Sequence, residues 1–136
     1  MIQPFDEIKA ECQEIQDFLE ITVSDNPEEI SSRGNDLAVY IARTGKMLAD
    51  AKHHQNKARA HSIIKQAGEA ADLPASVLNK LVDASTYKEN HVVDWCERLN
   101  RSATHQMDWC RTLISKMKEE MKYASGISNT YNNYHG

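Results

Sequence analysis

The stretch VDWCERL at residues 93–99 recurs as MDWCRTL at residues 107–113. The offset is two heptads, and an α-helix drifts by only about 20° per heptad against such a repeat. The paired tryptophans, cysteines and leucines therefore fall near one stripe, and apolar residues keep helical spacing from Val92 to Met121. The pattern predicts a long helix over about residues 86–123. The apolar seam of this helix consists of Trp95, Leu99, Trp109, Leu113 and Met117, and it is expected to pack either in the core or in an oligomer interface.

Three more helices are predicted upstream of this one. A heptad seam indicates a first helix over residues 4–23. Asn26 and Pro27 are typical of a helix start, and no further proline interrupts the chain before Pro74, so a second long helix is expected to reach about Gln66. A break at 67–74 precedes a short helix at about 75–84.

The fold class that follows is all-α. We expect an elongated helical bundle with two long antiparallel helices, a shorter N-terminal helix and a short connecting helix. Few glycines and prolines, five and three in 136 residues, agree with this class. Residues 1–125 form a single helical domain, and Gly126 ends the last helix. The asparagine- and tyrosine-rich segment 126–136 is then expected to be a flexible polar tail.

The unequal helix lengths predict self-association. Two helices of about 60 Å cannot be covered along their whole seam by a first helix about half as long. An uncovered strip containing Trp95 or Trp109 would be a large exposed apolar patch. We therefore expect a homo-oligomer, a dimer or a higher assembly.

Charge is distributed unevenly along the chain. Residues 1–30 hold nine acids and one base, whereas residues 43–65 hold six bases, three histidines and one acid. At 100° per residue, most of the basic side chains fall in one sector of the second helix, away from its apolar seam. This stripe suits an anionic small molecule, a nucleotide or nucleic acid. The predicted ligand-binding residues are Arg43, Lys46, His54, Lys57, His61 and Arg111.

Packing against the acidic first helix is the alternative explanation of the same stripe. In that case the bases would contribute to stability or assembly and would bind no ligand. The segment has no interleaved aromatic residues on which bases would stack, so no base-specific recognition is predicted.

The sequence shows no strong catalytic or metal-binding motif. Pairs such as His91 with Asp94 have helical spacing, but a di-metal bundle needs four inward carboxylates. Glu11-x-x-Glu14 and Glu69-x-x-Asp72 superficially fit the magnesium site of all-α nucleotide pyrophosphohydrolases, yet their separation is too long. We therefore predict no enzyme activity, no metal and no cofactor.

Localisation is predicted from the cysteines and from hydropathy. Three cysteines on apolar stripes, without a signal peptide, indicate a reducing intracellular setting. No apolar run approaches the roughly 20 residues that span a bilayer, so no membrane partner is expected.

The blocks YIARTGKMLADAK (40–52), RLNRSATHQMD (98–108) and RTLISKMKEEM (111–121) resemble a group of small helical proteins encoded by bacterial phages and prophages. The resemblance covers the two long helices and matches the order of the blocks. It implies the cytoplasm of a bacterial host cell. It implies no catalytic residue, because the group has no established activity.

The predicted function is that of a non-enzymatic phage-type accessory protein that acts by binding. We expect it to block host defence by sequestering a nucleotide signal or by binding a host factor. One alternative is a nucleic-acid-binding accessory to phage replication or recombination. A second alternative is a metal-dependent helical nucleotide hydrolase.

Overall fold

A computed structural model describes residues 1–69 and 72–135 of the chain, and for residues 127–135 it describes the backbone alone. Four α-helices account for nearly all of these residues, and the described ranges contain no β-strand. The all-α prediction is confirmed. The helices are α1 (Phe5–Leu19), α2 (Pro27–Glu69), α3 (Ala75–Ser85) and α4 (Tyr87–His135).

The start of α2 follows from its first residues. The backbone N–H of Glu28 donates to Asn26 Oδ1 at 2.9 Å, which satisfies one of the N–H groups that a helix N-terminus leaves unpaired. Pro27 has no N–H to satisfy, and Glu28 and Glu29 lie at the positive end of the helix dipole. From this start α2 continues without interruption for 43 residues, or about 64 Å.

Helices α2 and α4 form an antiparallel hairpin along their apolar stripes. Gln55 donates to Asn90 near its closed end, Asn100 donates to Thr44 Oγ1 in the middle, and Arg33 donates to Gln106 near its open end. Helix α3 lies at the closed end, where Arg59 Nη1 is 2.6 Å from Asp83 Oδ1. The large buried side chains of the hairpin are Ile30, Leu37, Met47, Val92 and Leu99.

Helix α1 covers the open side of this hairpin. It has 15 residues, fewer than predicted, and buries Ile8, Cys12 and Ile15 completely. The C-terminal carbonyls of a helix carry partial negative charge and need donors. Two side chains supply them: Arg33 Nη2 donates to the carbonyl of Phe18, and Gln106 Nε2 donates to the carbonyl of Leu19.

Arg33 is a nearly buried cation for which the described residues provide no carboxylate partner. Its guanidinium lies 4.5 Å from the centre of the Phe18 ring. The ring and the carbonyl dipoles at the end of α1 therefore stand in for a counter-charge.

The last helix does not end at Gly126, so this prediction is wrong. The backbone of α4 continues as a helix to His135. One glycine costs a helix only about 1 kcal/mol relative to alanine, and Gly126 has no positive φ that would turn the chain. The predicted flexibility of residues 126–136 concerns side chains that mostly lie outside the described residues, and it stays a prediction.

Replacing Leu37 by alanine should destabilise the fold by about 3 kcal/mol, because Leu37 is fully buried between the two long helices. Val39→Ala, two residues further along α2, is the matched control. Val39 is 59% exposed, so its truncation should change stability by less than about 0.5 kcal/mol. Urea unfolding followed by circular dichroism measures both. Equal losses in the two variants would contradict the packing of α2 on α4.

Candidate functional site

The predicted basic stripe lies on α2 beside α1 and the residues that precede it. Arg43 donates from Nε and Nη2 to the two carboxylate oxygens of Glu11, at 2.8 and 2.6 Å. Gln3 also donates to Glu11, at 3.0 Å. The hydrogen bond from Arg43 is the main reason why the pKa of Glu11 is lowered. Arg43 is thus engaged by an acid of its own chain.

The first residues of the chain engage Lys46 and His54. Lys46 Nζ donates to the carbonyl of Met1 and pairs with Asp50. His54 Nε2 lies 2.7 Å from the carbonyl of Gln3; since a carbonyl only accepts, this nitrogen carries the proton.

Asp50 of α2 also contacts the first residues of the chain. The backbone N–H of Gln3 donates to its carboxylate at 3.1 Å. The hydrogen bond from Lys46, and then that from Gln3, lowers the pKa of Asp50.

The other three predicted ligand residues are not brought together with these. Lys57 and His61 are exposed, and no acid within the described ranges forms an ion pair with either. Arg111 is on α4, 3.6 Å from Asp108. It lies near the open end of the hairpin, about 36 Å along the helices from Lys57. The six predicted ligand residues therefore fall into three groups. Arg43, Lys46 and His54 form contacts within the chain, Lys57 and His61 are exposed, and Arg111 is distant from both groups.

The two tryptophans of the repeat have different surroundings. Trp95 is half-buried, and its Nε1 donates to Gln16 of α1 at 3.2 Å. Trp109 is 56% exposed. It lies beyond the point where α1 ends, because Leu19 is level with Gln106. The short first helix thus reaches one tryptophan and not the other.

An apolar strip begins at Trp109, opposite the first turn of α2, and continues onto the part of α4 that extends past α2. Arg33 is level with Gln106, so Pro27, where α2 begins, is level with about Thr112. The last roughly 20 residues of α4, about 30 Å, extend past that point. All side chains described at residues 118–126 are exposed. The exposed or partly buried apolar residues here, called the α4 strip, are Trp109, Leu113, Ile114, Met117 and Met121.

Metal binding and pyrophosphohydrolase chemistry would both require clusters of His, Cys, Asp or Glu side chains. No group of three or more His, Cys, Asp and Glu side chains comes together in this part of the chain. Glu11 is engaged by Arg43. A surface pocket of about 240 Å³ beside Trp95 is lined by one carboxylate, Asp94, and one imidazole, His91. This pocket does not have the four carboxylates that a di-metal site requires.

Sequence reasoning missed three groups near these surfaces. The first three residues have no periodic signal, yet their backbone engages α2. Arg33 is three residues after Ile30, on the apolar seam of α2. This spacing indicated that Arg33 would be buried. Cys12 and Cys96 are each on a seam, but their contact depends on how α1 sits against α4.

Comparison with known protein families, with curated proteins and with solved structures finds no match for this chain. Among the described residues no helix is both long and apolar enough to cross a membrane. The resemblance to phage-encoded helical proteins stays a prediction.

Glu11→Gln should destabilise the fold at pH 7 by about 0.5–1 kcal/mol, because Arg43 is partly solvent-exposed and its ion pair is partly screened. The pKa of Glu11 is lower in the folded chain than its ordinary value of 4.5. Its stabilisation is therefore present above pH 4.5 and is lost as the pH falls through the folded pKa. Urea unfolding at pH 7 and pH 3.5 should show the difference between wild type and variant shrinking.

Glu14→Gln is the control for this measurement, since Glu14 is exposed on the same helix. It should leave the stability at pH 7 nearly unchanged. If the two variants lost the same stability at pH 7, the contact between Glu11 and Arg43 would have no special role.

Proposed function

We propose that this chain is a non-catalytic protein that acts by binding through the α4 strip, and that it binds first to a second copy of itself. The exposure of Trp109 carries the proposal. A tryptophan has the largest apolar surface of any side chain, and aromatic residues are enriched in protein interfaces. Here it begins a strip that continues to Met121, which is 70% exposed.

The length of the uncovered segment supports this proposal. An isolated helix of about 20 residues without alanine-rich composition is marginal in water, because most helix stability in proteins comes from packing of an apolar face. Leu113, Met117 and Met121 repeat at intervals of four, on one face of the helix. Leu113 and Met117 are already partly buried against the core, whereas Trp109 and Met121, at the two ends of the strip, are exposed. A helical partner along this face would cover these two exposed side chains.

A second copy fits the strip better than a strongly charged partner. The flanks carry both signs, with Lys116, Lys118 and Lys122 against Glu119 and Glu120. Such a surface selects neither an acidic nor a basic partner. Two equal arms that run antiparallel cover each other along their whole length, and this isologous contact closes as a dimer.

The wild-type chain should have twice its 15.4 kDa mass in light scattering coupled to size exclusion, at tens of micromolar. Trp109→Glu should reduce the mass to that of one chain, because a carboxylate inside the apolar interface would lose its hydration. Val39→Glu, on an equally exposed apolar residue of α2 outside the α4 strip, is the control and should keep the doubled mass.

A single-chain mass for the wild type would contradict this proposal, and so would equal dissociation by both glutamates. Fluorescence provides an independent readout. In Trp95→Phe the remaining tryptophan is Trp109, since the chain has two. Its emission should move to shorter wavelength as the protein concentration is raised through the dissociation constant.

A host protein is the further partner that the resemblance to phage-encoded proteins implies. We propose that such a factor would occupy the same strip, in competition with the second copy. Sequestration of a nucleotide signal is less favoured within this hypothesis, because Arg43, Lys46 and His54 are engaged by the chain itself.

Anion binding by Lys57 and His61 is the second candidate function. The favouring observation is that both side chains are exposed, and the described residues form no ion pair with them. Nucleic acid or a nucleotide would neutralise such a surface, and the affinity would fall with salt.

If Lys57 contacts phosphate, Lys57→Glu should weaken the binding of a fluorescent single-stranded oligonucleotide. The slope of log affinity against log salt should also fall by about one. Lys80→Glu, on an exposed lysine of α3, is the matched control for the change in net charge. Equal weakening by both variants, or no binding by the wild type at low salt, would exclude a specific phosphate contact.

A further inference from the structure

Two thiols from distant parts of the sequence meet in the core. Cys12 on α1 and Cys96 on α4 are fully buried, and their sulfurs lie 3.6 Å apart, with one thiol donating to the other. The third cysteine, Cys110, is also buried, about 21 Å along α4 from Cys96. The packing of α1 against α4 therefore selects one of the three possible pairs.

The contact makes the two thiols unequal. While α1 is docked, the hydrogen bond with Cys12 lowers the pKa of Cys96, against the opposing effect of burial. The same hydrogen bond, together with burial, raises the pKa of Cys12. The thiolate is the nucleophilic form of cysteine, so a pair of this kind has one thiol that ionises first and a second that ionises later.

We propose that Cys12 and Cys96 form a reversible disulfide that locks α1 onto α4, and that the oxidant is a low-molecular-weight disulfide. In the opened chain one of the two thiols, as its thiolate, attacks one sulfur of the oxidant, forming a mixed disulfide and releasing one thiolate. The other thiol then loses its proton to solvent and attacks the protein sulfur of the mixed disulfide, which releases the second thiolate. Two protein thiols are oxidised, and the external disulfide is reduced to two thiols.

Both sulfurs are shielded while α1 is docked, so the first attack requires α1 to move away. The helix is short, and it is joined to α2 by residues 20–26, of which most are exposed. Local opening of such an element costs less than global unfolding. When α1 returns, the sulfurs have to approach by roughly 1.5 Å to reach bonding distance, which small side-chain rotations supply.

The closed bond should have a large effect on the melting temperature. The two cysteines are 84 positions apart, and a cross-link across a long loop restricts the unfolded chain strongly. We expect the melting temperature of the oxidised chain to rise by about 5–15 °C. Reduction with dithiothreitol should remove the increase.

The full chain, and Cys110→Ser as the matched variant, would be incubated with mixtures of reduced and oxidised glutathione. Intact mass should fall by about 2 Da, the two hydrogens lost, in both proteins. Peptide mapping without reduction should recover a link between Cys12 and Cys96. Cys12→Ser should instead stop at a single glutathione adduct on Cys96.

Three results would overturn the proposal. The first is a wild-type chain that keeps three free thiols in the glutathione mixtures although a thiol reagent labels Cys12 under the same conditions. Such labelling would show that α1 opens and that oxidation does not follow. The second is a disulfide that includes Cys110. The third is an oxidised chain with an unchanged melting temperature, which would show that the bond does not hold α1 in place.

Discussion

The apolar contact between α2 and α4 is the interaction on which the other elements depend. The two helices have 43 and 49 residues and meet along one stripe each, so their hairpin has an open apolar side throughout its length. Helix α3 packs against α2 at the closed end, where Val82 is buried and Arg59 pairs with Asp83. Helix α1, with 15 residues, covers about a third of the open side. At the open end Trp109 and Met121 remain exposed, and an exposed apolar strip of this kind is typical of an interaction site.

The acidic start of the chain and the basic stretch of α2 show how one charge pattern supports two explanations. Counting charges cannot separate a ligand site from a packing surface. The structure separates them residue by residue: Arg43 pairs with Glu11, whereas Lys46 and His54 donate hydrogen bonds to backbone carbonyls of the first three residues. No sequence pattern predicts that the backbone carbonyls of the first three residues would accept these hydrogen bonds. What remains free to meet an anion, near Lys57 and His61, is a smaller surface than the pattern predicted.

Local signals predicted local features well. Asn26 with Pro27 marked the start of α2, and the proline at 74 marked α3, because both act within one helical turn. The end of α4 was predicted wrongly, since a glycine stops a helix only where the chain also takes up a turn. The two tryptophans share a heptad position and were expected to behave alike. They differ because α1 ends at Leu19, and the register between α1 and α4 is set by tertiary packing.

Assembly and oxidation, the two proposed properties, use different parts of α4. The disulfide would hold α1 at Cys96, whereas the strip begins at Trp109, about one helical turn past the end of α1. A bond at Cys96 cannot lengthen α1, so Trp109 and Met121 are equally exposed in both redox states. Oxidation does, however, hold α1 over Trp95 through the region around Gln16. In the reduced chain the opening of α1 would extend the uncovered seam from Trp109 back towards Trp95, and a partner helix could then compete with α1 for the same stripe.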